Sequence, residues 1–102
     1  MALEKTTKQS FEAYFIHGDF SAVMESPETI VLGTSTATAT DNTNTPDESV
    51  IDTPSIYANE FKYYVRIKNG TEAKSPYKIT LRVTTSTGNK WEVEGLLVIK
   101  EI

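Results

Sequence analysis

Residues 77–83 read Tyr-Lys-Ile-Thr-Leu-Arg-Val, with Tyr77, Ile79, Leu81 and Val83 on one parity and Lys78, Thr80 and Arg82 on the other. Side chains of a β-strand alternate between two faces, so this segment is a strand with one buried and one solvated side. The clusters Asn69-Gly70-Thr71 and Ser86-Thr87-Gly88-Asn89 close its two ends. A hairpin at the second cluster places Gly88 at positive φ, where a side chain would be resisted. Tyr77 opens the inward row. In two-sheet β-sandwiches a tyrosine at that place lays its ring over the core and bonds its hydroxyl to nearby backbone, so Tyr77 is expected to be buried and anchored to the loop 68–76.

The rest of the chain carries the same period with interruptions. Phe61, Tyr63, Val65 and Ile67 alternate with Lys62, Tyr64, Arg66 and Lys68. Residues 10–16 are a first strand, with Phe11, Ala13 and Phe15 facing one way and Glu12, Tyr14 and Ile16 the other. His17-Gly18-Asp19 is expected to turn, Phe20 to Met24 suits a single helical turn, and Pro27 ends it. The segments 29–32 and 35–40 form an extended run interrupted at Gly33, and the alternation of Thr with Ala over 34–40 is a β pattern because the branched Thr suits a pleated surface. Residues 41–49 are a polar loop, and Pro54 limits the following segment to a sheet edge. In the last strand Trp91 and Val93 share a face, but beyond Gly95 both parities are apolar; either Gly95 is a bulge or both faces are covered. The reading is an all-β sandwich of seven to eight strands spanning 9–102, after a polar, flexible N-terminal segment 1–8.

The chemistry-bearing residues are few. His17 is the one histidine, cysteine is absent, and no Gly-x-Ser-x-Gly elbow presents a nucleophile, so no catalytic, cofactor-binding or metal-binding residues are assigned. Asp41, Asn42, Asn44, Asp47 and Glu48 are oxygen donors of the type calcium takes, without the spacing of a calcium loop, and calcium binding over 41–48 stays open. Glu92 and Glu94 lie outward on the last strand, placed for pairing with Lys78 or Arg82. A net charge of −4, with lysines and arginines dispersed, offers no basic stripe for nucleic acid, and no apolar run reaches membrane-span length. The N-terminal residues lack the apolar core of a signal peptide, and with no cysteine the chain is expected to assemble in a reducing compartment, in a virion or the bacterial cytoplasm.

Function is therefore expected on a protein–protein surface. The candidate contact residues are Phe15, in a first strand apolar on both parities, Tyr64, on outward parity, and Leu96 and Val98 in the doubly apolar terminal run. Tyr14, Tyr57 and Tyr64 fall on the outer parity, compatible with partial cover by loops or with a contact surface. Tyr77, Gly70 and Gly88 are expected to serve structure.

Asp19-Phe20-Ser21, Glu28-Thr29-Ile30, the strand 61–67 leading into Asn69-Gly70-Thr71, and Tyr77-Lys78-Ile79-Thr80 running on to Thr85-Ser86-Thr87-Gly88 together resemble small immunoglobulin-like structural proteins of tailed bacteriophages and prophages. The similarity covers about residues 9–100 in element order and is specific over 69–88; the long acidic loop 41–49 and Lys74-Ser75-Pro76 depart from it. The resemblance implies an immunoglobulin-like (fibronectin III-like) sandwich, a virion structural or tail-adaptor role without enzyme activity, and phage or prophage assembly proteins as partners, with a homo-oligomer open. The alternative is a bacterial cell-surface adhesion or carbohydrate-binding module. The start at Met1 without a leading linker is expected of the first and not of a module in a repeat array.

Overall fold

A computed structural model describes residues 5–102. Seven strands form: β1 Thr6–Lys8, β2 Tyr14–Asp19, β3 Thr36–Thr40, β4 Ile51–Asn59, β5 Lys62–Ile67, β6 Tyr77–Thr84 and β7 Lys90–Ile99. They make a four-stranded sheet, β1-β7-β6-β3, and a three-stranded sheet, β2-β5-β4. Helical structure among the described residues is limited to single 3₁₀ turns, so the expected all-β two-sheet sandwich is the observed architecture. The core follows the period-two pattern: Tyr63, Val65 and Ile67 of β5 face Tyr77, Ile79, Leu81 and Val83 of β6 and Val93, Leu97 and Ile99 of β7, all buried. Phe20 and Met24 close one end, where the N–H groups of Val23 and Met24 both bond the carbonyl of Phe20 at 3.0 Å. Phe61, expected in the inward row of its strand, lies in the turn before β5 and is half-buried.

The N-terminal third departs from the sequence reading. Thr6–Lys8, expected as part of a flexible segment, pairs in parallel with Leu97, Val98 and Ile99 of β7; residues 1–4 of that expectation lie outside the described residues. A strand follows from what β7 needs. The β6–β7 ladder ends at Tyr77↔Leu97, so the backbone of residues 97–99, beside a packed core, demands further partners. Lys8 is buried, and its ammonium donates to the carbonyls of Gln9 (2.8 Å), Ser10 (3.3 Å) and Asn69 (2.5 Å), which makes its burial tolerable. That burial pushes its pKa down, with Glu12 and Glu101 opposing. Residues 9–12 form a turn rather than the start of a strand, and Phe11 is 97% exposed. His17-Gly18-Asp19, expected as a turn, completes β2, with Gly18 under the core: a Cβ there would come within 2.9 Å of Val93 Cγ1.

At the other end Gly95 is no bulge. The β6–β7 register runs unbroken through Ile79↔Gly95 and Lys78↔Leu96. Leu97 and Ile99 enter the core, Leu96 is exposed, and Val98 is half-buried beside Thr7.

Tyr77 is buried, and its hydroxyl accepts the backbone N–H of Thr71 at 3.1 Å, which pins the loop between β5 and β6. Gly70 (φ +93) lies so close to the core that a Cβ would meet Ile99 side-chain carbons at 2.9 Å. Gly88 (φ +87) has open space around it. Two outcomes are expected from chemical denaturation. Tyr77→Phe leaves the Thr71 N–H without its acceptor and costs about 0.5–1.5 kcal/mol, while Tyr64→Phe is near neutral. Gly88→Ala bears only the backbone penalty of about 1–2 kcal/mol, and Gly70→Ala, which adds the clash with Ile99, costs more. Equal costs at the two glycines would refute the close approach at Gly70.

Candidate functional site

The outer face of the three-stranded sheet carries a packed set of rings. Because Tyr63, Val65 and Ile67 point inward, Tyr64 and Arg66 point outward, and the register places two rows across the sheet. One row is Tyr57↔Tyr64↔His17, the other Asp52↔Arg66↔Phe15. The first row depends on an irregularity in β4. Five residues separate Asp52 from Tyr57 while two separate their partners Arg66 and Tyr64 (57 − 52 = 5; 66 − 64 = 2), so β4 holds three extra residues around Pro54. A regular ladder would set Pro54 against Tyr64; the bulge sets Tyr57 there instead.

The rings interlock. Tyr57 and Tyr64 stack with centroids 4.6 Å apart and planes 2° from parallel. Phe15 meets Tyr57 edge to face at 5.3 Å, and His17 leans on Tyr64 at 5.0 Å. The Arg66 guanidinium lies 5.0 Å over the Phe15 ring. Aromatic pairs of this kind contribute about 0.5–1.5 kcal/mol each beyond buried area. Phe15 (40%) and Tyr57 (42%) nevertheless remain well exposed. The rings are thus packed on one another before any partner arrives, which lowers the ordering cost of a contact.

The structure brings Phe15 and Tyr64 together but sets Leu96 and Val98 on the outer face of the other sheet. There Leu96 lies in a shallow depression with Lys5, Lys78 and Glu94, so the apolar patch expected along the terminal run is broken by charge. Arg82 pairs with Glu92 as the alternation suggested, at 2.5 Å, but in the open, where such a pair contributes little. Tyr14 leaves the aromatic set, its hydroxyl donating to the Thr7 carbonyl at 3.1 Å. Trp91 is half-buried, and its indole N–H is shielded from solvent without a protein partner, beside a groove of about 340 Å³ lined by Thr36, Arg82 and Glu92. In the acidic loop Asp41 turns inward: its Oδ1 accepts from Thr43 N (2.8 Å), Thr43 Oγ1 (2.6 Å) and Thr45 N (3.1 Å), which hold its pKa low. Among the described residues no three histidines, cysteines or carboxylates converge as metal ligands. Sequence reasoning did not single out His17, Tyr57 and Arg66 as neighbours of Phe15; the outward parity of Tyr64 and Arg66 was visible, but the cross-strand register was not.

No family model matches the chain, and no curated protein matches its sequence. Among solved structures, titin domain M7 is similar, with a TM-score of 0.57 and 14% identity over 99% of this chain and 90% of that one. The fold is immunoglobulin-like. At that identity the likeness speaks to architecture alone. Within this immunoglobulin-like frame the first strand lies against β7, and not against β2 as in the constant-type sandwich.

Residues 28–29 and 85–89, far apart in the chain, meet at one end of the sandwich. Glu28, buried, accepts at Oε2 from Thr85 Oγ1 (2.5 Å), Thr87 Oγ1 (2.6 Å) and Asn89 Nδ2 (3.0 Å). Thr29 exchanges two more bonds with Ser86: its N–H donates to Oγ and its carbonyl accepts the Ser86 N–H. The hydroxyls of Thr85 and Thr87 hold the Glu28 carboxyl below the usual carboxylate range. Stability linked to a depressed carboxylate is fully present above its unfolded-state pKa and is lost as the pH falls through the native value. Glu28→Gln is therefore less stable than the parent at neutral pH, and the gap narrows as the pH drops below the ordinary carboxylate range. Thermal melts from pH 7 to pH 2 check this; a gap that stays constant would remove Glu28 from the acid response.

Proposed function

We propose that this chain is a non-catalytic immunoglobulin-like structural or assembly module of a phage or prophage particle, acting through protein–protein contact on the Phe15/Tyr57/Tyr64 face. The observation that carries the contact surface is the prepacked aromatic set with Arg66 over it, since buried aromatics and arginine supply most hot-spot energy in protein interfaces. The phage assignment rests on the motif resemblance over 69–88. His17 supports no reaction in this reading: it lies against Tyr64 on an open sheet face, with no hydrogen-bonded serine or carboxylate among the described residues.

The carbohydrate-binding alternative asks for an open ring face on which a sugar can stack. Tyr57 and Tyr64 spend those faces on each other, and His17 leans on Tyr64, so what reaches solvent suits a protein partner better. The test is binding to purified tail, portal and capsid proteins of the encoding genome. Phe15→Glu and Tyr57→Ser are expected to weaken capture by about tenfold or more while retaining the parental circular dichroism, as loss of a hot-spot residue does. Leu96→Lys, on the opposite sheet, is expected to bind like the parent. The reverse pattern would move the interface to the four-stranded sheet, and binding to oligosaccharides instead of virion proteins would favour the adhesion reading.

A further inference from the structure

The sandwich has open strand edges, and all but one are guarded; β1, at one edge of the four-stranded sheet, is only three residues long, itself a device against edge pairing. β4 carries Pro54 and the bulge along its outer edge. β3 is partly covered where Thr40 bridges Pro46 and Asp47 N–H bonds the Ala39 carbonyl at 2.9 Å. β7, past the end of β1, turns out Lys90, Glu92 and Glu94. Charges, proline and bulges are the devices by which natural sheets prevent edge pairing. β2 has no proline and no bulge, and its one acidic side chain, Asp19, stands at its last position. It pairs with β5 on one side, and no described strand lies on the other, because β1 has gone to β7.

The direction of its free groups follows from the ladder. Phe20 N–H bonds the Phe61 carbonyl at 2.8 Å, continuing the antiparallel β2–β5 pairing. By alternation Ile16 and Gly18 turn their N–H and C=O to β5, while Phe15, His17 and Asp19 turn theirs to the open edge. The same three residues carry side chains on the aromatic face, and the row Tyr57↔Tyr64↔His17 runs straight to that edge and stops.

We propose that the β2 edge pairs antiparallel with β2 of a second copy of this chain, on a two-fold axis through His17, joining the two three-stranded sheets into one of six strands. This register forms three hydrogen-bonded pairs (His17 with His17, and Phe15 with Asp19 twice), about six bonds. The neighbouring register, with Ile16 on the axis, forms only two such pairs within the strand. Charge favours the His17 register as well. It sets Asp19 of one copy opposite Phe15 of the other, next to the Arg66 guanidinium over that ring. The aromatic row then continues across the axis through both copies. A symmetric dimer is also the commonest closed assembly. The proposal concerns the edge and not the particle in which the chain serves, so it stands or falls apart from the functional reading above.

Sedimentation of the full chain over rising concentration tests it, together with three variants. His17→Pro removes an N–H that β5 does not use and blocks the edge, so it is expected to fold and to raise the dimer dissociation constant more than about tenfold. The native chain has no cysteine. His17→Cys therefore places the single thiol of each copy about 5.5 Å apart in Cα terms, within disulfide reach. It is expected to form covalent dimers under mild oxidation, and Glu94→Cys, on the open stretch of β7, is not. If His17→Pro fails to fold, the cysteine pair decides alone. A chain that stays monomeric at about millimolar concentration, a dimer indifferent to a folded His17→Pro, or equal cross-linking at the two cysteines would overturn the proposal. So would a monomer whose β2 edge is occupied only by a strand of another protein. A monomer that still captures virion proteins through Phe15 and Tyr57 would leave the functional reading intact.

Discussion

The loop from Lys68 to Thr71 is where the two sheets are tied, and the Tyr77 hydroxyl is the centre of that tie. Thr71 N–H donates to Tyr77, Lys68 N–H to the Val50 carbonyl, and Asn69 Nδ2 to the Ser49 carbonyl. The Asn69 carbonyl in turn receives the buried Lys8 ammonium. Four residues thus engage β1, the entry to β4, the exit of β5 and the start of β6. The backbone must fold sharply to do so, which is why Asn69 and Gly70 both take positive φ and why Gly70 has no room for a Cβ. A buried tyrosine with a hydroxyl to satisfy and a lysine with an ammonium to satisfy find partners in one short loop, and polar groups removed from water have few other places to go.

The placement of β1 has consequences on the far side of the molecule. Lys8 needs the Asn69 carbonyl, and β7 needs a partner for its last residues, so the first strand is committed to the four-stranded sheet. What β7 gains, β2 lacks. The edge left open is the one beside Phe15 and His17, and it borders the only face where exposed rings are packed against one another among the described residues. One structural choice near the N-terminus therefore shapes both the surface and the edge that the molecule presents to partners.

The same sandwich keeps its two outer faces different in character. The four-stranded sheet turns out Lys78, Arg82, Glu92 and Glu94, with Leu96 isolated among them. The three-stranded sheet turns out rings. This asymmetry is invisible in composition, since both sheets draw on strands that alternate apolar with polar residues. It emerges because tyrosine and histidine stand at outward positions of three adjacent strands, and a three-residue irregularity around Pro54 brings them into line.

The sequence by itself determined the sandwich, its core strands and its corner. Period-two alternation at 61–67 and 77–83 leaves one side chain set to bury, and turn residues at 69–71 and 86–89 leave few ways to connect the strands. Those constraints are local, and local physics is written in consecutive residues. Only the tertiary structure decided where residues 6–8 go, that His17 belongs to a strand, that Gly95 keeps its register, and that Phe15 and Tyr64 share a face which Leu96 and Val98 do not. Each of these depends on which strand lies alongside which. A polar segment such as Thr6-Thr7-Lys8 has no apolar row to announce a strand; the unmet hydrogen bonds of β7 and the Asn69 carbonyl that receives the Lys8 ammonium make it one, and those partners stand more than fifty residues away in the chain.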